Sequence, residues 1–128
     1  MTRVKEYMTT TVLTIDEHES AADAAKVMAE DAQAQGYVLV LAKGRPTGIV
    51  TEGDLLRHIL ATGTTRRIGL SEIMSTPLIT VELDAALVAA SELMRAHNVR
   101  KLPVVSAGIV YGMITADAIA TNIGRNVV

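Results

Sequence analysis

Thr51 and Asp54 stand three residues apart in the run Gly48-Ile49-Val50-Thr51-Glu52-Gly53-Asp54-Leu55-Leu56, where a β-branched stretch gives way to a helical pattern. A hydroxyl and a carboxylate at that spacing form a capping arrangement, with the Thr oxygen on an amide of the first turn and the acid against the helix dipole. The other chemistry-bearing groups are scattered. Arg100-Lys101 precedes an apolar run, where a basic pair is either solvated or faces an anion. His18, His58 and His97 fall on a turn and two helical stretches without metal-ligand spacing, so no metal is expected. Ser91 and His97 share one helical stretch but point to different faces, and Asp16, Glu17 and Glu19 read as a solvated turn. Cysteine, a Gly-x-Ser-x-Gly elbow and a Walker loop are absent. No nucleophile, base and electrophile come together, so the chain reads as a non-enzyme.

The 128 residues are 49% hydrophobic and 20% charged with a net charge of −2, the composition of one or two small folded units. Without cysteine there is no disulfide and no sign of an oxidising compartment, so a cytoplasmic location is expected. The apolar runs are too short to cross a bilayer, and the charged start Thr2-Arg3-Val4-Lys5-Glu6 lacks a signal peptide's apolar region. A nearly balanced charge argues against general nucleic-acid binding, which would rest only on Arg66-Arg67 and Arg100-Lys101. Phe and Trp are missing and Tyr occurs three times, so the core must be aliphatic with six Met as gap-fillers. Met28, Met94 and Met113 fall on core stripes. Tyr37 reads as a buried strand residue more readily than as a stacking platform.

The elements that must carry these groups come twice. A shift of 66 residues pairs Met8 with Met74, Leu13 with Ile79, Thr14 with Thr80, Ala24 with Ala90 and Met28 with Met94; a shift of 64 then pairs Val40 with Val104, Gly48 with Gly112 and Thr51 with Thr115. Such self-similarity decides the fold. Val12–Ile15 and Leu78–Val81 are β-branched strands, each followed by an Ala-rich helix. In the second copy Leu83, Leu87, Ala90 and Met94 form the buried stripe, with Asp84 as the expected N-cap. Residues 37–41 and 101–105 are strands, with Pro103 placed at a strand start. The turns Lys43-Gly44-Arg45-Pro46 and Ser106-Ala107-Gly108 lead into the strands 48–51 and 112–115. The last helices run from Asp54 to about Ala61 and from Ala116 to about Ile123. The expected fold is mixed α/β (α+β): two β-α-β-β-α repeats, 1–61 and 70–128, packed as a pseudo-two-fold pair through their sheets and joined by a linker over 62–69.

That order resembles the CBS domain, on Asn98-Val99-Arg100-Lys101-Leu102-Pro103-Val104-Val105 in the second copy and Gly48 to Leu56 in the first. The resemblance covers nearly the whole chain. It implies a regulatory, non-catalytic Bateman module that binds adenosyl ligands in clefts between the copies and often pairs into homodimers. On this sequence it assigns the ribose to Thr51 and Asp54 and the base pocket to Ser75, Leu78, Ile79, Val99 and Met113. Phosphate falls to Arg100 and Lys101, with Arg57, Arg66 and Arg67 adding to the positive field. A carboxylate can accept both hydrogens of a cis-diol, which suits Asp54 to ribose. The basic cluster favours AMP, ADP or ATP over S-adenosylmethionine. The other turn, Thr115-Ala116-Asp117-Ala118, has alanine where the family has aspartate; Asp117 comes one residue early, a rotation of about 100° on a helix. Gly36-Tyr37 stands where the second copy has Arg100-Lys101. One good site and one weak or empty site per chain are therefore expected. The preferred reading is an adenosine-nucleotide sensor acting through dimer or partner geometry on a regulated protein the sequence does not reveal; the alternative is a ligand-free structural dimerisation module.

Overall fold

The computed structural model describes residues 1–63 and 68–124. Arg66 and Arg67 lie outside the described residues. The elements run β1 (Thr14–Asp16), α1 (Ala21–Glu30), β2 (Tyr37–Ala42), β3 (Arg45–Thr51), α2 (Glu52–Thr62), β4 (Val81–Glu82), α3 (Leu87–His97), β5 (Lys101–Ser106), β6 (Ile109–Thr115) and α4 (Ala116–Gly124). A short 3-10 turn leads each repeat, Val4–Glu6 and Leu70–Glu72. The β-α-β-β-α order read from the sequence holds in both copies.

The chain forms two compact units, Leu13–Leu78 and Met1–Val12 with Ile79–Val128. Each leading segment therefore belongs with the other repeat's elements, the first twelve residues with the second sheet and residues 70–78 with the first.

In the first unit β2 is central, parallel to β1 and antiparallel to β3. Its continuous apolar run is buried from Tyr37 to Val40, as a strand covered on both faces requires. Ile15, Ala24, Met28, Val50 and Leu70 close around it. Tyr37 is core: its ring is 1% exposed and its hydroxyl accepts the Leu13 amide at 3.2 Å. Burial raises the phenol's pKa above its ordinary value, only partly opposed by that bond. The hairpin turn is tighter than expected. Lys43 (φ 53°) and Gly44 (φ 77°) are both left-handed, the signature of a two-residue primed turn, so Arg45 and Pro46 join β3. Pro46 is accommodated where the register shifts at Val40/Leu41.

The second unit repeats the plan with β5 central between β4 and β6, and Ala107 (φ 51°) and Gly108 (φ 78°) form its turn. Val81, Leu87, Met94, Leu102, Val104 and Ile114 form the centre of its core. Pro103 lies inside this central strand, not at its start, opposite Met113. The Met113 N–H and C=O both bond to Thr9, so that face of Pro103 needs no donor. On the other face Leu39, its counterpart, donates to the Leu13 carbonyl at 2.8 Å, a bond proline cannot make. The first strand is accordingly two residues in this unit against three in the other. Both first strands start later than the sequence pattern suggests.

Asp84 is not the cap of α3. The N-cap is Ala86, counterpart of Ser20, which caps α1 through a box with Asp23. With no side-chain cap, the Leu87 amide donates to the Thr2 carbonyl at 2.8 Å, and Ala86 bridges Arg3. Asp84 instead accepts from Lys5 Nζ at 2.7 Å, which lowers its pKa.

Candidate ligand-binding site

The chain leaves β3 at Thr51 in an extended conformation (φ −109°, ψ 167°) and enters α2 at Glu52. Thr51 Oγ1 accepts the Asp54 amide at 3.2 Å, while Asp54 Oδ2 accepts the Thr51 amide at 2.8 Å and its hydroxyl at 3.0 Å. The capping box expected from the sequence is complete. Arg57 Nη2 donates to the other oxygen, Oδ1, at 2.5 Å. Only 8% of the Asp54 side chain is exposed, whereas 72% of Arg57 is. A buried carboxylate is tolerated when its oxygens find donors, and here three donors compensate its lost hydration. An ionised carboxylate has about four acceptor positions, so one on Oδ1 remains for a further donor. Asp54 is thus held by three donors and nearly saturated, next to a largely exposed cation.

The corresponding turn after β6 lacks half of this. Thr115 Oγ1 accepts the Ala118 amide at 3.1 Å, but alanine returns nothing. Asp117 is turned outward with 94% of its side chain exposed, 3.5 Å from Arg100 Nη2. Asn122, one turn beyond Ala118, is buried, and its Oδ1 has no partner among the described residues.

The candidate residues divide between the units. Thr51, Asp54, Ser75 and Leu78 fall in the first; Ser75 is exposed and donates its amide to the Ile49 carbonyl at 2.9 Å, beside β3, and Leu78 is half-buried. Ile79, Val99, Arg100, Lys101 and Met113 fall in the second. Ile79 and Val99 pack against its core, Met113 is 1% exposed, Lys101 opens β5 opposite Thr115, and Arg100 is exposed.

Sequence reasoning missed two features. The pairing of Arg57 with Asp54 was signalled by their i,i+3 spacing on a helix. The repeated glycine of the third strand, Gly48 and Gly112, makes room for the leading segments: a Cβ at Gly48 would meet Met74 and the Ser75 carbonyl, and one at Gly112 would meet Met8 and the Thr9 carbonyl. Among the described residues no three His, Cys, Asp or Glu side chains gather as a metal site, and no helix is long and apolar enough to cross a membrane.

Two copies of a three-stranded sheet with two helices, each third strand ending in a Thr-led helix turn, define a duplicated α/β module. The CBS domain profile matches residues 4–61 and 70–125, and the chain belongs to the CBS domain family. The CBS domain-containing protein YhcV of Bacillus subtilis is 31% identical over 122 residues, 95% of this chain and 86% of YhcV. Longer relatives include the inosine-5'-monophosphate dehydrogenase of Nitrosopumilus maritimus (33% identical), of which the chain spans 19%, and an uncharacterized protein of Methanopyrus kandleri (37% identical), of which it spans 43%. The structure is similar to the CBS domain pair of protein MJ0100, described in complex with 5-methylthioadenosine and S-adenosyl-L-methionine (TM-score 0.83, 25% identity, 96% of this chain and 100% of that one). It is also similar to the hexameric CBS-CP12 protein from bloom-forming cyanobacteria (TM-score 0.83, 28% identity, 94% and 70%).

Proposed function

We propose that this CBS pair is a regulatory module that binds one adenosine nucleotide, AMP, ADP or ATP, with Thr51 and Asp54 on the ribose, and transmits binding through a homodimer or a protein partner. The observation that carries the reading is the asymmetry of the two turns: a buried, donor-held carboxylate at Asp54 and a methyl group at Ala118. A cis-diol offers two O–H donors, one to the remaining position on Oδ1 and one to the position Arg57 holds. The guanidinium is exposed enough to yield it. Ser75, Leu78, Ile79, Val99 and Met113 are the proposed base residues, and Arg100 and Lys101 the proposed phosphate cations. The adenosyl ligands of the MJ0100 pair support the ligand class, and the hexameric neighbour supports self-association. A module of this kind regulates another activity, and no reaction is assigned to it.

Thermal unfolding alone and with AMP, ADP, ATP or S-adenosylmethionine tests the proposal. Ligand at a hundred times its Kd adds about 2.7 kcal/mol, which raises the midpoint of a chain this size by several degrees. A rise with a phosphorylated nucleotide larger than with S-adenosylmethionine is expected. No rise with any of the four would overturn the reading in favour of a ligand-free dimerisation module.

A further inference from the structure

We propose that Arg57 is a charge latch on the Asp54 carboxylate, which a ligand must displace, and that it makes the site select phosphorylated nucleosides over neutral ones. The inference rests on the ribose role proposed for Asp54 and adds a residue that sets its specificity.

The two oxygens of Asp54 do different work. Oδ2 alone completes the helix cap, accepting the Thr51 amide at 2.8 Å and the Thr51 hydroxyl at 3.0 Å. Oδ1 takes no part in the cap, and Arg57 Nη2 donates to it at 2.5 Å. Capping therefore explains one oxygen and leaves the other to the cation. In the second repeat the acid and the base are absent together. A shift of 64 places Ala118 at the position of Asp54 and Thr121 at that of Arg57, and the Thr121 hydroxyl donates to the Asp117 carbonyl of its own helix at 2.9 Å.

Arg57 is held where a cation is otherwise poorly placed. Its guanidinium folds back over the first turn of α2, with Nη1 3.4 Å from the position a Cβ on Gly53 would take. The positive end of the helix dipole opposes a cation there, and the carboxylates of the same turn, Glu52 and Asp54, offset that opposition. The Arg57 side chain is mostly exposed while that of Asp54 is buried, so releasing Oδ1 gives up little packing. What is forfeited is the ion pair. A neutral nucleoside that places its O–H groups on Oδ1 leaves the guanidinium without an anion. A phosphorylated one carries an anion on the same sugar, and guanidinium pairs strongly with phosphate. Without Arg57 the turn presents two carboxylates and loses the cation that offsets them, which repels phosphate and leaves Oδ1 open to any O–H donor.

The test is calorimetric titration of the full chain with adenosine and with ATP, in the wild type, Arg57→Met and Arg57→Lys. Arg57→Met keeps an unbranched stem and removes the charge. It is expected to bind adenosine about fivefold more tightly than the wild type and ATP about fivefold more weakly, whereas Arg57→Lys stays close to the wild type. In the Asp54→Ala background the gain for adenosine disappears, because Arg57 acts through that carboxylate. No gain for adenosine in Arg57→Met, a gain for ATP as well, a gain that survives in Asp54→Ala, or an Arg57→Lys that behaves as Arg57→Met each overturns the latch and leaves the ribose reading standing. No binding of either ligand to the wild type, or wild-type affinity for ATP in Asp54→Ala, overturns the ribose reading and the latch with it.

Discussion

Asp54→Ala is expected to lower affinity for the adenosine nucleotide by tenfold or more. Hydrogen bonds to a charged group contribute about 1.5 to 3 kcal/mol each, and a single one lost is already about tenfold in Kd. The same substitution removes the acid half of the Thr51 capping box and the ion pair with Arg57. That costs about 1 kcal/mol of stability, or about 4 °C in midpoint, with no ligand present. The two effects separate in a titration at a temperature where both proteins are folded: affinity falls while the folded fraction does not. Asp117→Ala removes an equal charge from the other turn, where the carboxylate faces solvent. If affinity is lost there and kept in Asp54→Ala, the ligand is read by the second repeat and the assignment is wrong.

Gly112→Val, at a buried position of β6, is expected to destabilise the fold by about 3 kcal/mol. Thr9 is tied to Met113 by two backbone bonds, its amide donating to the Met113 carbonyl at 2.8 Å and its carbonyl accepting the Met113 amide at 2.9 Å. The added side chain points at that fixed carbonyl and at the Met8 sulfur, and only the sulfur sits on a flexible chain. The segment must detach or the sheet must distort. Urea unfolding should show a lower midpoint with an unchanged slope if the second unit still folds whole. A midpoint within experimental error of the wild type would mean that the leading segment does not lie against β6. Gly48 is the matching position against Met74 and Ser75.

What the sequence made legible follows from how local each signal is. The duplicated order, the helices and the central strands rest on periodicity and β-branched runs, which survive without tertiary context. The Thr51–Asp54 box was legible because both partners lie within one turn, and the weakness of the second turn because Ala118 replaces a carboxylate. Features that depend on distant chain were hidden. The 3-10 turns Val4–Glu6 and Leu70–Glu72 are too short for any period, and membership of the first twelve residues in the second unit depends on Thr9 meeting Met113 across 104 positions. Asp84 was the better cap former by residue type, yet the Thr2 carbonyl satisfies the helix amide instead, and a backbone cap leaves no mark on composition. Pro103 looked like a strand start because its cost inside a strand is usually prohibitive; here the Thr9 bridge and a shortened β4 leave its missing amide unneeded.

Calorimetric titration of the wild-type chain with AMP, ADP and ATP tests most directly whether one turn of two reads a ribose. Saturable heat with one nucleotide per chain is expected. Two nucleotides per chain would show that a turn lacking the carboxylate binds as well, and no heat with any of the three would contradict the ribose role of Asp54.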